Sequence, residues 1–594
     1  MELRKTIWII IAAVFVGIVG GSPRCRCLPG HKCWPSAQEW EEFNATVKGR
    51  LILPRPTAYP CYAGPDFNEP DCQTIRVNFS RPSFLLDRAG SMQNFNWEDL
   101  DGKRCSLEAA DSPDAVCETG SVSVFGVAVH SVADIRKTVS FARRHNLRLV
   151  VKSTGHDYLG RSAAPGSLLL RMHTLSDVET RTSFYPDGCS TDHDVNTPVV
   201  IVSGGKTWDD VYKKVDEDFN SNYVAVGGIC HAISAAGGYT LGGGHSVLGP
   251  SFGLAVDNVL QIQLVTADGK FVTANPCQNQ DLFWALRGGG GGTFGVVVSV
   301  AYQLHPVPNG FTDFALQITN TNNSGVLTQQ QVEVIPEVLA RRSPELDEKD
   351  WGGLFYYNPA YGFSLNYITP HKVYRSPMDG LKDELIAMQS TSGFLVSTFS
   401  DRPFLQHFRK FQNWHRWIAS DVYAMHYNAG TRVVGGSRLI PNAALSDPRQ
   451  VAKTLVAGMQ RNGFEWGILG HAVLGDGVRN NPEANMTSVT PAWRQAAWHP
   501  VLFTVWEHNA SQETVTRLLD ALNAGTEVWR QAYPDSGAYF NEAFTEEPSW
   551  QEAFWGANYA RLLDVKKRVD PEGLFVCRQC VGSEMWDRSG NCRV

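Results

Sequence analysis

Lys152-Ser153-Thr154-Gly155-His156-Asp157-Tyr158-Leu159-Gly160-Arg161-Ser162 and the later Val226-Gly227-Gly228-Ile229-Cys230-His231, running on to Gly237-Gly238-Tyr239-Thr240-Leu241-Gly242-Gly243-Gly244-His245, decide how this chain is read. Each sets one nucleophile, an imidazole or a thiol, into a glycine-rich loop. Glycines let the backbone approach a flat ring or a pyrophosphate, and their N–H groups form anion-holding nests. Singly, each signal has an ordinary reading. The glycine runs, Gly288–Gly292 included, also make tight turns; His156 alone reads as a loop histidine or a metal ligand, and Cys230 as a disulfide or inert thiol.

Together the two loops fit one electrophile that takes both nucleophiles. A flavin ring accepts a neutral histidine nitrogen at its 8-methyl group and a cysteine thiolate at C6. No glycine fingerprint sits between a first strand and helix with an acidic residue about 20 positions on, so a Rossmann nicotinamide site is excluded. His173 and Asp157 do not give His156 a zinc-type spacing, and no metal is expected.

Working outward, Ser121–His130 is a β-rich apolar run, and Ser131 reads as the N-cap of a helix with Asp134 three residues on. Val132, Ile135, Val139 and Ala142 follow at helical spacing, and Leu147–Lys152 returns as a strand that delivers the histidine loop. A second unit repeats the plan. Val199–Ser203 is a strand, Trp208, Val211, Tyr212 and Val215 mark a helix face, and Tyr223–Val226 delivers the cysteine loop. Val259–Thr266 and Phe271–Thr273, joined at Asp268-Gly269, read as a hairpin. A short helix at Asp281–Leu286 precedes the long β run Phe294–Leu304. Beyond residue 310, helical stretches (Gln329–Arg342, Met378–Met388, Pro448–Met459) alternate with aromatic strands (Leu354–Tyr357, Leu502–Trp506), which suits a sheet covered by helices. A last helix, Asn558–Val569, is halted by Asp570-Pro571-Glu572-Gly573.

At 594 residues the chain exceeds the roughly 250–300 at which one core stops growing, so two domains are expected. Its 43% apolar and 11% aromatic content is that of a globular protein. A net charge of −7, with no basic run longer than Lys566-Lys567-Arg568, excludes nucleic acid as a partner. Arg4 and Lys5 precede an apolar run from Thr6 to Gly20, and the small residues Gly20, Gly21 and Ser22 follow, so residues 1–21 read as a cleaved signal peptide. The run falls short of the about 20 residues a membrane span needs, and no stable anchor is expected. Thirteen cysteines in a secreted chain imply disulfides, and the odd count leaves one sulfur over. Cys230 is the choice for it, while Cys577-x-x-Cys580, a zinc or thiol-redox motif in a cytosolic protein, reads here with Cys592 as structural. Sequons at Asn44, Asn78, Asn322, Asn485 and Asn509 fit an extracellular glycoprotein.

The two loops, with Phe252-Gly253-Leu254-Ala255-Val256-Asp257-Asn258 and Phe294-Gly295-Val296-Val297, resemble the PCMH-type FAD domain of the vanillyl-alcohol oxidase superfamily. Tyr539-Phe540-Asn541-Glu542, Trp555-Gly556-Ala557-Asn558-Tyr559 and Asp570-Pro571-Glu572-Gly573-Leu574-Phe575 are similar to the C-terminal segment of its berberine bridge enzyme branch. Cys25-Arg26-Cys27-Leu28-Pro29-Gly30 and Cys33-Trp34-Pro35-Ser36 are similar to secreted fungal members labelled isoamyl alcohol oxidases. The resemblance implies an α+β fold with a Cys-rich N-terminal arm (22–118), an FAD-binding domain (119–308), a substrate domain with a large antiparallel sheet covered by helices (309–536), and a C-terminal segment (537–594) returning to the FAD domain.

It also implies FAD bonded through His156 and Cys230. Thr154, Gly155, Asp157, Gly160, Arg161, Ser162, Gly228, Gly237, Gly238, Gly242, Gly243, Gly244, His245, Gly295, Val297 and Asn541 complete its binding set. Two positions depart from the pattern: His231 replaces the usual proline after the cysteine, and Ser234 stands where a small residue is expected. For the catalytic base, Tyr539 and Glu542 are the candidates, either of which also reads as a packing or orienting residue; Tyr356, Tyr357, His426 and Tyr427 are further pocket candidates. The expected activity is a secreted, monomeric oxidase that takes hydride from an alcohol or activated C–H of a small metabolite or sugar and passes electrons to dioxygen. A flavin-dependent cyclase or dehydrogenase with another acceptor, and a non-catalytic glycoprotein, stand beside it.

Overall fold

The computed structural model describes residues 25–594 apart from 100–103, 113, 191–196, 231, 308–309, 321–327, 359–361, 372–376, 393, 401–428, 461–466 and 473–474. His426, Tyr427, His231, Asn322 and residues 1–21 therefore lie outside the described residues.

Ser131 does cap a helix, Val132–Arg144, by accepting from the Asp134 N–H, and the Asp134 carboxylate accepts in turn from the His130 N–H and the Ser131 hydroxyl. That helix crosses from the strand Phe125–Ala128 to Leu149–Lys152. The two strands are not neighbours: the short run Leu168–Arg171, too brief to stand out in the sequence, lies between them, parallel to both. Leu51–Ile52 adds an antiparallel edge. A second, wholly antiparallel sheet orders Val178–Arg181, Val199–Ser203, Val296–Gln303, Val259–Val265 and Phe271–Ala274.

The other domain is built on an eight-stranded antiparallel sheet. Along it run Phe394–Ser400, Thr312–Asn320, Gly362–Thr369, Gly352–Asn358, Gly467–Ala472, Ala496–Trp506 and Arg432–Ser437, and the short Ile440–Pro441, the eighth, pairs with Ala496–Trp506 off that path. Helices Gln329–Asp347, Pro448–Met459 and Gln512–Ala532 pack side by side on one face, burying Phe355, Tyr357, Trp498 and Leu502. Because successive side chains alternate faces, Leu354 and Leu469 point the other way and join the core of the FAD-binding half. Alternation also corrects one expectation: Tyr357 is packed among the helices against Phe363, so it cannot line a pocket on the opposite face.

The N-terminal arm is more regular than its composition suggests. Ser36 and Glu39 form a capping box on the helix Ala37–Thr46, and Asn68 caps Glu69–Asn78. Disulfides Cys27–Cys33, Cys61–Cys72 and Cys105–Cys117 staple it, and Cys25–Cys592 joins it to the other end of the chain. Cys189–Cys277 and Cys577–Cys580 complete the pairing, leaving Cys230 as the free cysteine. Beyond the disulfides, the arm props the histidine loop. The buried Lys152 ammonium donates to the Ala89 and Ser91 carbonyls at 2.7 and 2.9 Å, Gln93 N–H donates to Gly155 O, and Asn94 Nδ2 to Asp157 O.

The C-terminal segment closes the FAD-binding half. Trp555 Nε1 donates to Gly288 O, and Lys566, fully enclosed, donates to Thr293 O, Phe575 O and the Asp570 carboxylate. Asp570 also accepts from the Leu574 and Phe575 N–H groups, which turns the chain out of the helix Tyr559–Val569. Since Cys25–Cys592 holds both chain ends on this surface, Cys592→Ala is expected to lower stability by about 2–4 kcal/mol. Urea denaturation of the variant beside the parent protein measures it; a change below about 0.5 kcal/mol would mean that the other contacts hold the ends unaided.

Candidate active site

The histidine loop is locked before any ligand is considered. The Asp157 carboxylate accepts from Leu159 N–H, Ser162 N–H and the Ser162 hydroxyl at 3.0, 2.7 and 2.8 Å. Ser153 Oγ donates to Gly204 O and shares a 2.8 Å hydrogen bond with Ser234 Oγ, tying this loop to the sheet and to the cysteine loop. Gly155 turns with φ +73°, a conformation that suits glycine.

These segments line a channel inside the FAD-binding half, closed by the C-terminal segment. Thr154, Gly155, His156, Asp157, Arg161 and Ser162 form one wall; Gly237, Gly238, Gly295 and Val297 lie along it, and Asn541 and Glu542 reach it from the C-terminal segment. A side chain at Gly291 would put its Cβ 2.8 Å from Gly238 Cα, so the two glycine runs meet backbone to backbone at the channel wall. Asn541 Nδ2 donates to Gly238 O and to the Tyr539 hydroxyl, both at 2.9 Å.

Other predicted residues sit behind the channel. Gly160 packs under the Trp97 ring, Gly228 O accepts from the Tyr212 hydroxyl, and Gly242 fits beneath the Asn541 amide, where a Cβ would lie 2.6 Å from Nδ2. Gly243 and Gly244 carry the chain through a turn at φ +130° and +74°, with Gly244 against Ala255 and Tyr239. Their part is to shape the wall. Cys230 is half-buried, within electrostatic reach of Tyr158 and Glu542. Burial pushes its thiol up to about 12 and the His156 imidazole down to about 4, so the histidine stands neutral, the form able to attack an electrophile.

FAD fits this lining by its donors and its shape. Arg161 is clamped by donation to Phe540 O and Arg578 O, with its guanidinium 3.5 Å from the Phe540 ring centroid. Its Nη2, also buried, finds no acceptor among the described residues, leaving a cationic donor for an anion. With the glycine backbone around it, that is the donor set a dinucleotide's phosphates require.

At the domain interface, four residues that no spacing in the chain connects come together. His245 Nε2 lies 3.3 Å from both Glu542 oxygens, and His499 Nδ1 lies 3.6 Å from Oε2. His471 and His499 are register partners on adjacent antiparallel strands, so both point from one face of the sheet, the face opposite the helices. Burial pushes His471 down to about 4 and holds His499 well below the usual imidazole range; burial also pushes the Glu542 carboxyl up, but His245, hydrogen-bonded to it, acts the other way and the group stands below the usual carboxylate range. Tyr539 packs edge-on against His245, His499 and Trp493, and burial keeps it a neutral phenol. His245, expected among the FAD contacts, stands beside Glu542. Sequence reading had no route to His471 and His499, since each belongs to an apolar strand and only the register opposes them.

An α+β two-domain scaffold, with a glycine-walled channel that a buried carboxylate lines, is that of an FAD-linked oxidoreductase. The FAD binding domain model matches residues 125–275 and the berberine and berberine-like model residues 538–582. An uncharacterized FAD-linked oxidoreductase of Arthroderma benhamiae is 34% identical over all of both chains. The VAO-type flavoprotein oxidase VAO615 of Thermothelomyces thermophilus is 30% identical over 99% of this chain and 98% of its own. Among solved structures, the VAO-type flavoprotein MtVAO713 of Myceliophthora thermophila superposes with a TM-score of 0.84 at 27% identity, covering 96% of this chain and 100% of that one. The chain belongs to the VAO/berberine bridge enzyme-like family of FAD-linked oxidoreductases. The expected fold is thereby borne out.

Proposed function

We propose that this protein is a secreted oxidase that holds FAD through His156 and Cys230 and removes hydride from an alcohol or an activated C–H of a small metabolite or sugar, with dioxygen as the acceptor. The observation that carries the reading is the channel itself, a glycine-walled cavity that the His156 imidazole and the Glu542 carboxylate both line. FAD supplies the two-electron acceptor. His156, kept neutral by burial, is suited to bond the ring, and Arg161 to hold its phosphates. Glu542 is placed to accept the hydroxyl proton as hydride leaves. A low carboxyl pKa is no obstacle there, because a carbonyl still bearing its proton is a strong acid. His245 steadies the carboxylate, and Tyr539 closes the pocket beside it. The name of the Thermothelomyces relative, a flavoprotein oxidase, favours dioxygen. The paired cysteines and the sequons favour an extracellular setting.

Screening alcohols, oligosaccharides and phenolic alcohols for peroxide release tests the activity; substrate oxidation that yields no peroxide would turn the reading to another acceptor. The histidine bond makes a separate prediction. An imidazole of ordinary pKa, about 6.5, loses roughly tenfold in neutral fraction between pH 7.5 and 5.5. Held at about 4, His156 stays neutral across that range. Flavin attachment to FAD-free protein, followed by fluorescence of the denatured chain, should therefore proceed at pH 5.5 within about twofold of its pH 7.5 rate. A tenfold drop would show that burial does not protect the imidazole.

A further inference from the structure

We propose that His245, His471, His499 and Glu542 form a binding site for a divalent transition-metal ion of the zinc class. Around an ion with bonds of about 2.0–2.1 Å, tetrahedral ligand atoms stand roughly 3.3–3.4 Å apart. Two pairs are already near that spacing: His245 Nε2 to the Glu542 oxygens at 3.3 Å and His499 Nδ1 to Oε2 at 3.6 Å. All four ligand atoms lie within 4.8 Å of one another, so an ångström or so of closure completes the set.

The second observation is the state of the imidazoles. His471 Nδ1 is 2.9 Å from the His499 carbonyl, so it carries the proton and leaves Nε2 with its lone pair free. A backbone carbonyl holding the far ring nitrogen is how metal-ligating histidines are usually oriented. His499 is wholly buried, and among the described residues neither of its ring nitrogens has a hydrogen-bond partner. A neutral imidazole has one donor and one acceptor to satisfy. An ion between the rings would take the lone pair that the protein leaves unused. Three imidazoles and one carboxylate are a donor set suited to zinc, and they leave a single negative charge to meet the ion's two positive ones.

Glu542 is also the proposed proton acceptor, so the test separates metal binding from the flavin reading. Purified holoenzyme is stripped with EDTA, incubated with zinc chloride, dialysed, and analysed for zinc by mass spectrometry and for flavin by absorbance. The expected result is about one zinc per chain, with His471→Ala and His499→Ala each weakening binding at least tenfold at unchanged flavin content. His371→Ala, at an exposed histidine paired with Asp350 outside the cluster, should leave zinc content as it was. If either cluster variant fails to fold, the parent protein decides the matter. Yellow protein holding less than about a tenth of an equivalent, or zinc content indifferent to His499→Ala in folded protein, overturns the site. Colourless protein that binds zinc would overturn the flavin reading instead.

Discussion

A Glu542→Gln enzyme is expected to keep its full flavin content and lose kcat by about 100- to 10,000-fold, the range a positioned proton acceptor contributes. The amide has nearly the shape of the carboxylate, so the pocket walls of Tyr539, His245 and Trp493 are not disturbed. It has no charge with which to take a proton from a hydroxyl. The loss should appear in the chemical step, read as anaerobic reduction of the flavin by whichever alcohol the peroxide screen selects. KM should move far less, because hydrogen bonding to the hydroxyl survives. A kcat within about threefold of the parent would remove Glu542 from proton transfer and leave it an orienting or metal-binding role.

The other large effect concerns the cofactor. His156→Ala and Cys230→Ala, taken singly, should each leave a flavin that stays with the chain after acid precipitation, held by the remaining bond. The double variant should release all of it, since the channel would then hold FAD only by contacts that unfolding destroys. Arg161 and the glycine walls predict that the folded double variant still binds FAD, so a yellow native protein with a colourless precipitate is the expected pair of results. Flavin bonded to the doubly substituted chain would place the linkages on other side chains.

Much of the FAD-binding half was legible because its signals are local. Val199–Ser203 there, and Pro448–Met459 in the other domain, have the bounds read from sequence, the latter because Asp447 caps the first turn and Pro448 fits a position with no N–H to satisfy. The free thiol was legible by parity and setting. Leu168–Arg171 was not, because three leucines and an arginine between turns carry no periodicity, and their place between two parallel strands comes from packing. The arm's capped helices were hidden by Cys, Pro and Trp, whose pattern reflects docking on the body.

By itself the chain's order of residues determined the chemistry on offer: an imidazole and a thiol in glycine loops, an arginine beside them, and a carboxylate near the C-terminus. Those are properties of short segments, and short segments are what composition and spacing encode. The substrate end was decided only in three dimensions. His245, His471, His499 and Glu542 are drawn from a turn, two strands and the C-terminal segment, and strand register together with domain closure sets them within bonding reach. A one-residue slip in either strand would turn its histidine toward the helices, which is why no reading of the linear sequence could assemble that cluster.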